Sequence, residues 1–308
     1  MPDDVFFAEW CDRHLGARLA DVLFRSGHLS EVAGAELADG RRVVIKARPA
    51  DPRIAGCVAV QQHLARGGFP CPAPLTAPVQ VGGLTVTAEV LVPGGCQLPA
   101  EGGAAPYAAL LARLIRSAPG PADVPPLAPS PPWAGWDHPG SRLWPDQDDR
   151  GRDLNGVPGP AWVDDAARRV RARLSASAVG NAHVGHGDWE SQNIRWSDDG
   201  RPLVVHDWDS VIAQPEAGIV GLAAAVWPAA GAPGEAATVA QSAEFIASYQ
   251  QAAGRQWAEH EVQDAWAAGL WVRLFNAKKD EADGGGPQLD RLAGEIGDRL
   301  ALAALANG

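Results

Sequence analysis

Lysine is nearly absent from this chain of 308 residues: Lys46, Lys278 and Lys279 are the only three, and arginine carries the remaining positive charge. A lysine in the middle of a strand-like run was therefore not drawn from a common pool. Apolar runs approaching the roughly 20 residues that cross a bilayer are also missing, so a helical membrane protein is not expected. The start, Met1-Pro2-Asp3-Asp4, lacks the basic residues and apolar core of a secretory signal, and residence in the cytoplasm is the expectation. Cys11, Cys57, Cys71 and Cys96 are widely spaced with no CxxC pair, which disfavours a zinc site or a disulfide framework and leaves reduced cysteines that pack as small hydrophobes. No basic stripe is present, and a net charge of -11 speaks against nucleic acid. It is compatible with a cationic ligand, or simply with solubility.

Two lobes are expected at this length. Residues 3 to about 24 read as an amphipathic helix, with Asp3 and Asp4 as N-cap candidates. Glu31 to Leu37 and Val43 to Ala47 read as strands joined by Asp39-Gly40, a strong hairpin signal. The spacing then predicts a helix over Ile54 to Arg66, a proline-rich connector over Phe69 to Pro78, and strands over Val79 to Val81 and Leu84 to Val92. A small, mostly antiparallel sheet with helices is thus expected over residues 1–92, and a mainly helical lobe over 93–308. Within the second lobe, helices are expected near Tyr107 to Ile115, Asp164 to Ala176, Ala217 to Trp227, Ala236 to Ala253 and Glu259 to Asn276, with a last one ending at Ala306. The stretch 119–160 is rich in Pro, Gly, Asp and Trp. Its tryptophans (Trp133, Trp136, Trp144, with Trp162 beside it) favour an ordered, partly buried segment over a free linker.

The chemistry concentrates in residues 183–209. Asp188 in a tight loop, Asn193 five residues later and Asp207 after a short hairpin supply one group that can take a proton and two that can hold Mg²⁺. Protein kinases divide the labour of phosphoryl transfer in the same order and at the same spacing.

The run His186-Gly187-Asp188 with Asn193, followed by Asp207-Trp208-Asp209, resembles the phosphotransferase family typified by aminoglycoside kinases. The resemblance implies a bilobal α+β, protein-kinase-like fold and transfer of the γ-phosphate of ATP or GTP to a hydroxyl of a small molecule, an antibiotic being the first choice. It implies Asp188 as catalytic base or hydroxyl-positioning group, Asn193 and Asp207 as Mg²⁺ ligands, His186 as a loop-fixing residue and Lys46 as the lysine on the nucleotide phosphates. Ser26 to Ser30 would cover the phosphates, and the base would meet the backbone near Ala88 to Leu91, with Glu89 and Val90 in contact. Trp189 and Glu190 fall beside the reacting hydroxyl. Asp209 either reaches substrate or braces the loop. Asp146, Asp148, Asp149 and Asp153 are candidates for ammonium groups of an acceptor, or for plain solvation.

One departure stands out. Such kinases place a glutamate on the helix after the lysine strand, and here Cys57 occupies that position, with Gln61 one turn later and no acid between Asp51 and Glu89. The alternatives are a metabolic kinase of choline, homoserine or sugar type, and a non-catalytic nucleotide-binding module. A metal-dependent phosphohydrolase built on His183, His186, Asp188 and the His206-Asp207 pair would leave Lys46 and the hairpin unexplained.

Overall fold

The computed structural model describes residues 2–27, 30–98, 102–177, 182–232 and 234–306. Asp3 caps the first helix, its carboxylate accepting from the Phe6 amide at 2.9 Å. Helix α1 (Asp4–Leu15) ends at Gly16, whose φ of 67° is the left-handed C-cap that glycine adopts at little cost. The helix expected to run on to about residue 24 therefore stops, and Leu19–Gly27 forms strand β1 instead. Beyond that cap the chain pairs with β2 (Glu31–Leu37) in an antiparallel ladder from Leu19↔Leu37 to Gly27↔Glu31, a partner that helical periodicity does not reveal.

The Asp39-Gly40 turn joins β2 to β3 (Arg42–Pro49), with the Asp39 carboxylate accepting from the Arg41 amide and side chain at 3.1 and 2.7 Å. Helix α2 (Ile54–Arg66) follows, then β4 (Val79–Val81) and β5 (Leu84–Val90). The five strands are antiparallel in the order β1-β2-β3-β5-β4. Phe7, Trp10 and Cys11 of α1 pack with Ala33, Ala35, Val43, Ile45, Val86 and Ala88 of the sheet in the smaller of two hydrophobic cores. Cys57, Val60 and Leu64 of α2 belong to the other, larger core, so α2 packs on the helical side of the molecule.

That side contains α3 (Ala105–Ser117), α4 (Ala161–Ser177), α5 (Glu216–Val226), α6 (Val239–Ala253), α7 (Glu259–Ala282) and α8 (Pro287–Leu302). Helix α5 is apolar on nearly every face and buried throughout. It lies so close to α7 that a Cβ on Gly221 would meet the Ala265 carbonyl oxygen at 2.0 Å, which explains a glycine in mid-helix. Two short antiparallel pairs complete the lobe: β6 (Ala182–His186) with β9 (Val211–Pro215), and β7 (Ile194–Trp196) with β8 (Pro202–Val205). No helix among the described residues is long and apolar enough to cross a membrane.

The segment 119–160 has short 3₁₀ turns but no α-helix or strand. It is held by side chains. Trp136 and Trp144 are fully buried, and the Trp144 indole donates to Asp164 at 3.0 Å while its ring packs 5.2 Å from that of Trp271. Arg171 of α4 donates to the carbonyls of Trp136, His138 and Gly140 at 2.8–3.0 Å. These bonds tie the segment to α4 and α7.

Candidate active site

Pairing of His186 with Val211 in the β6–β9 ladder brings the loop after His186 beside the turn that precedes Val211. The Gly187 amide donates to the Ser210 carbonyl at 2.7 Å and fixes the two together. His186 is fully buried between the ring edges of Trp189 and Trp208. Its Nδ1 accepts from the Asp188 amide at 3.2 Å, so Nε2 carries the proton and donates to the His206 carbonyl at 3.0 Å. Burial pulls this imidazole down to about 4, keeping it neutral and able to make both bonds.

Asn193 lies in a single 3₁₀ turn, Ser191–Asn193, anchored to the end of α5 by bonds from the Ser191 and Gln192 amides to the carbonyls of Trp227 and Ala229. Its Nδ2 donates to the Asp188 carboxylate at 2.9 Å and to the Asp188 carbonyl at 3.1 Å. With nitrogen turned to a carboxylate, the amide oxygen is left to accept or to ligate. Asp207 has φ 65° and ψ 48°, a left-handed conformation that Asp tolerates better than most residues, and its carboxylate accepts from the Ser210 hydroxyl at 3.2 Å.

Asp188, Asn193, Asp207 and Asp209 line a cleft of about 700 Å³. Ser26, Gly27 and Ser30 close it from the sheet side; His28 and Leu29, also in the turn expected to cover the phosphates, lie outside the described residues. Lys46 Nζ stands 3.7 Å from Asp207, 3.8 Å from Glu89 and 4.0 Å from Asp209. Despite burial, which acts the other way, the guanidinium of Arg48 at 3.2 Å and the Lys46 ammonium hold the Asp209 carboxyl well below the usual range. The Arg48–Asp209 pair ties this turn to β3. Burial, then the nearby Glu190 and Asp207, push Asp188 up; burial, then Asp209, push Asp207 up to about 7, and burial raises Glu190 to about 7. The carboxylates outnumber the cations facing them, an imbalance that a divalent cation would relieve. Among the described residues no cluster of three or more His, Cys, Asp or Glu forms a metal cage. Asn193 and Asp207 offer two oxygens, a set that suits an ion retaining water and ligand oxygens, as Mg²⁺ does.

Two expectations are corrected. Trp189 does not face the cleft: it is buried in the core and its indole donates to the Tyr107 carbonyl at 3.1 Å. The backbone donors at the end of β5 are already engaged, because residues 73–76 run along that edge. The Ala88 amide donates to the Thr76 hydroxyl, that of Val90 to the Ala73 carbonyl and that of Leu91 to the Arg42 carbonyl. A nucleotide base is therefore not met by those N–H groups. Among the acidic residues of the insertion, Asp148 and Asp153 are spent on local amides and on Arg152 and Arg142, and only Asp149 lines the cleft, paired with Lys279 at 2.6 Å.

The tryptophan-bearing insertion, whose aromatic residues could equally wall a pocket or pack in the core, does both: Trp136 and Trp144 are buried, while Trp133 donates to the Gly187 carbonyl at 2.9 Å and lines the cleft. Arg53, at the start of α2, leaves no local sequence signal; it donates to the carbonyls of Leu127, Asp209 and Val211 at 3.2, 3.2 and 2.8 Å. Cys57 points at the Asp209 carbonyl at 3.8 Å, its thiol pushed by burial up to about 12.

The same architecture occurs in aminoglycoside phosphotransferase APH(4)-Ia, solved as a thermostable mutant in a ternary complex with ADP and hygromycin B (17% identity, 98% of this chain and 99% of that chain covered, TM-score 0.62). It occurs also in the amicoumacin kinase hAmiN in complex with AMP-PNP, Ca²⁺ and Ami (11%, 97% and 94%, 0.66). An aminoglycoside phosphotransferase from Alicyclobacillus acidocaldarius is similar as well (16%, 95% and 94%, 0.56). No functionally curated protein matches the sequence. The model of the phosphotransferase enzyme family matches residues 22–263, and with the α+β, protein-kinase-like architecture around Asp188, Asn193 and Asp207 this chain belongs to that family.

Proposed function

We propose that this protein transfers the γ-phosphoryl group of ATP or GTP to a hydroxyl of a small molecule in the cytoplasm, and that the acceptor is an antibiotic inactivated by the modification. The observation that carries the reading is the convergence, on one cleft, of the Asn193-bonded Asp188 with Asp207 and with the lysine strand. Hygromycin B and amicoumacin complexes of the similar kinases support the antibiotic as acceptor.

In this reading residues 1–92 form the nucleotide-binding lobe and 93–308 the lobe that receives the acceptor. Lys46 meets the phosphates and Ser26 lies over them. Asn193 Oδ1 and Asp207 hold Mg²⁺, which when bound supplies positive charge to the phosphate oxygens. Asp188, held by Asn193, orients the acceptor hydroxyl and takes its proton. Its raised affinity for a proton suits a group that must accept one at the moment of transfer. Glu190, Trp133, Asp149 and Lys279 form the wall facing the acceptor.

The test is release of nucleoside diphosphate over a panel of antibiotics and small alcohols, run with ATP and with GTP in the presence of Mg²⁺. Acceptor-dependent release is expected for at least one antibiotic. No release with any acceptor, together with no nucleotide binding, would replace this reading with a non-catalytic module; release with choline, homoserine or a sugar alone would make it a metabolic kinase.

A further inference from the structure

The helix acid expected to hold the strand lysine is Cys57 here, yet Lys46 is buried beside a carboxylate from elsewhere. In the β3–β5 ladder Lys46 pairs with Thr87, and paired residues share a face of the sheet. Glu89, two residues along β5, shares that face and is the diagonal neighbour of Lys46. The two side chains are 12% and 9% exposed, with Oε1 of Glu89 3.8 Å from Nζ. The other oxygen of Glu89 is held: Gln61 of α2 donates to Oε2 at 2.8 Å and, with the same amide, to the Pro72 carbonyl at 2.9 Å. The other two carboxylates near Lys46 have other partners. Asp209 is paired with Arg48 at 3.2 Å, and Asp207 faces the cleft as the proposed metal ligand.

We propose that Glu89, held in place by Gln61, is the positioning residue that aims Lys46 at the nucleotide phosphates, so that the role of the missing helix glutamate has moved to strand β5. The assignment rests on the kinase reading above. It also changes what α2 does. The helix no longer supplies a charge to the lysine; it supplies the neutral amide that orients the charge, while Arg53 and Cys57 bind the backbone of the Asp207–Ser210 turn. A competing role for Glu89 is direct contact with the nucleotide base, since it lies near the end of β5.

Glu89→Gln and Gln61→Ala separate these roles. Calorimetry with Mg²⁺ and the nucleoside triphosphate, and competition with the corresponding nucleoside alone, measure how much affinity the phosphates contribute. Glu89→Gln keeps the size of the side chain and removes its charge, so triphosphate affinity is expected to fall roughly tenfold or more, as on losing one partner of a buried charge pair, with nucleoside affinity unchanged. Gln61→Ala should lower triphosphate affinity at least threefold, again sparing the nucleoside. Equal losses for triphosphate and nucleoside would make Glu89 a base contact, and no loss in either variant would overturn the assignment. If Glu89→Gln does not fold, Gln61→Ala decides alone. Failure of the unmodified protein to bind any nucleoside triphosphate would sink the kinase reading itself, a result visible before any variant is compared.

Discussion

Asp188→Asn removes one negative charge while preserving the shape of the side chain, and it separates the two consequences of having a carboxylate at this point. The amide oxygen can still accept from Asn193, which now donates to Asp188 at 2.9 Å, so the loop keeps its bond. Burial and the neighbouring Glu190 and Asp207 make the ionised carboxyl costly in place, and the substitution relieves that cost. The melting temperature is therefore expected to equal or exceed that of the unmodified protein. Turnover moves the other way, because the proton acceptor is gone: a loss of roughly 10²–10⁴ is the range for a positioned acid–base group, or about 3–5 kcal/mol of transition-state stabilisation. Steady-state diphosphate release and a thermal melt on the same preparation provide both readings. Turnover within threefold of the unmodified protein would refute the role of Asp188. A fall in melting temperature beyond roughly 4 °C, about 2–3 kcal/mol in a chain of this size, would refute the electrostatic argument.

Three further outcomes are expected. Asp207→Asn should abolish Mg²⁺-dependent nucleotide binding, and an unchanged calorimetric titration would show that the metal is held elsewhere. Arg53→Met should destabilise the fold by about 2–4 kcal/mol in chemical denaturation, because several buried carbonyls lose a charged donor together; a loss under about 1 kcal/mol would mean that other donors replace it. His186, neutral in the fold with its proton affinity lowered from 6.5 to about 4, binds fewer protons folded than unfolded in that interval. The contribution of this group to stability should thus fall as pH drops from 6.5 to 4, by at most about 3 kcal/mol. The raised carboxyls of Asp188, Asp207 and Glu190 act in the opposite sense over that window. The stability difference between the unmodified protein and His186→Asn should therefore move against the unmodified protein as pH falls. A difference that stays constant with pH would refute the role of His186.

Much of the fold was legible because its signals are local. The Asp39-Gly40 turn lies between strand-prone runs, and Ile54 to Arg66 shows helical spacing bounded by breakers. The grouping of Asp188 and Asn193 needs only a five-residue loop, and their bond is made within it. The extent of α1 is not legible, because apolar spacing continues past Gly16, while the strand that follows is decided by pairing with β2. The β6–β9 pair carries no local signal for the same reason. Each strand is short, and each is stabilised by the other across an intervening hairpin.

The order and spacing of Lys46, Asp188, Asn193 and Asp207 could be read directly from the chain, because each belongs to a motif whose chemistry depends on near neighbours. Their surroundings could not. Glu89 comes beside Lys46 through the register of β3 against β5, Trp133 reaches Gly187 from a long insertion, and Trp189 turns into the core beneath Tyr107. In each case the contact joins segments whose separation along the chain carries no information about their distance in space. The tertiary structure alone therefore set Glu89, Asp207 and Asp209 around the lysine.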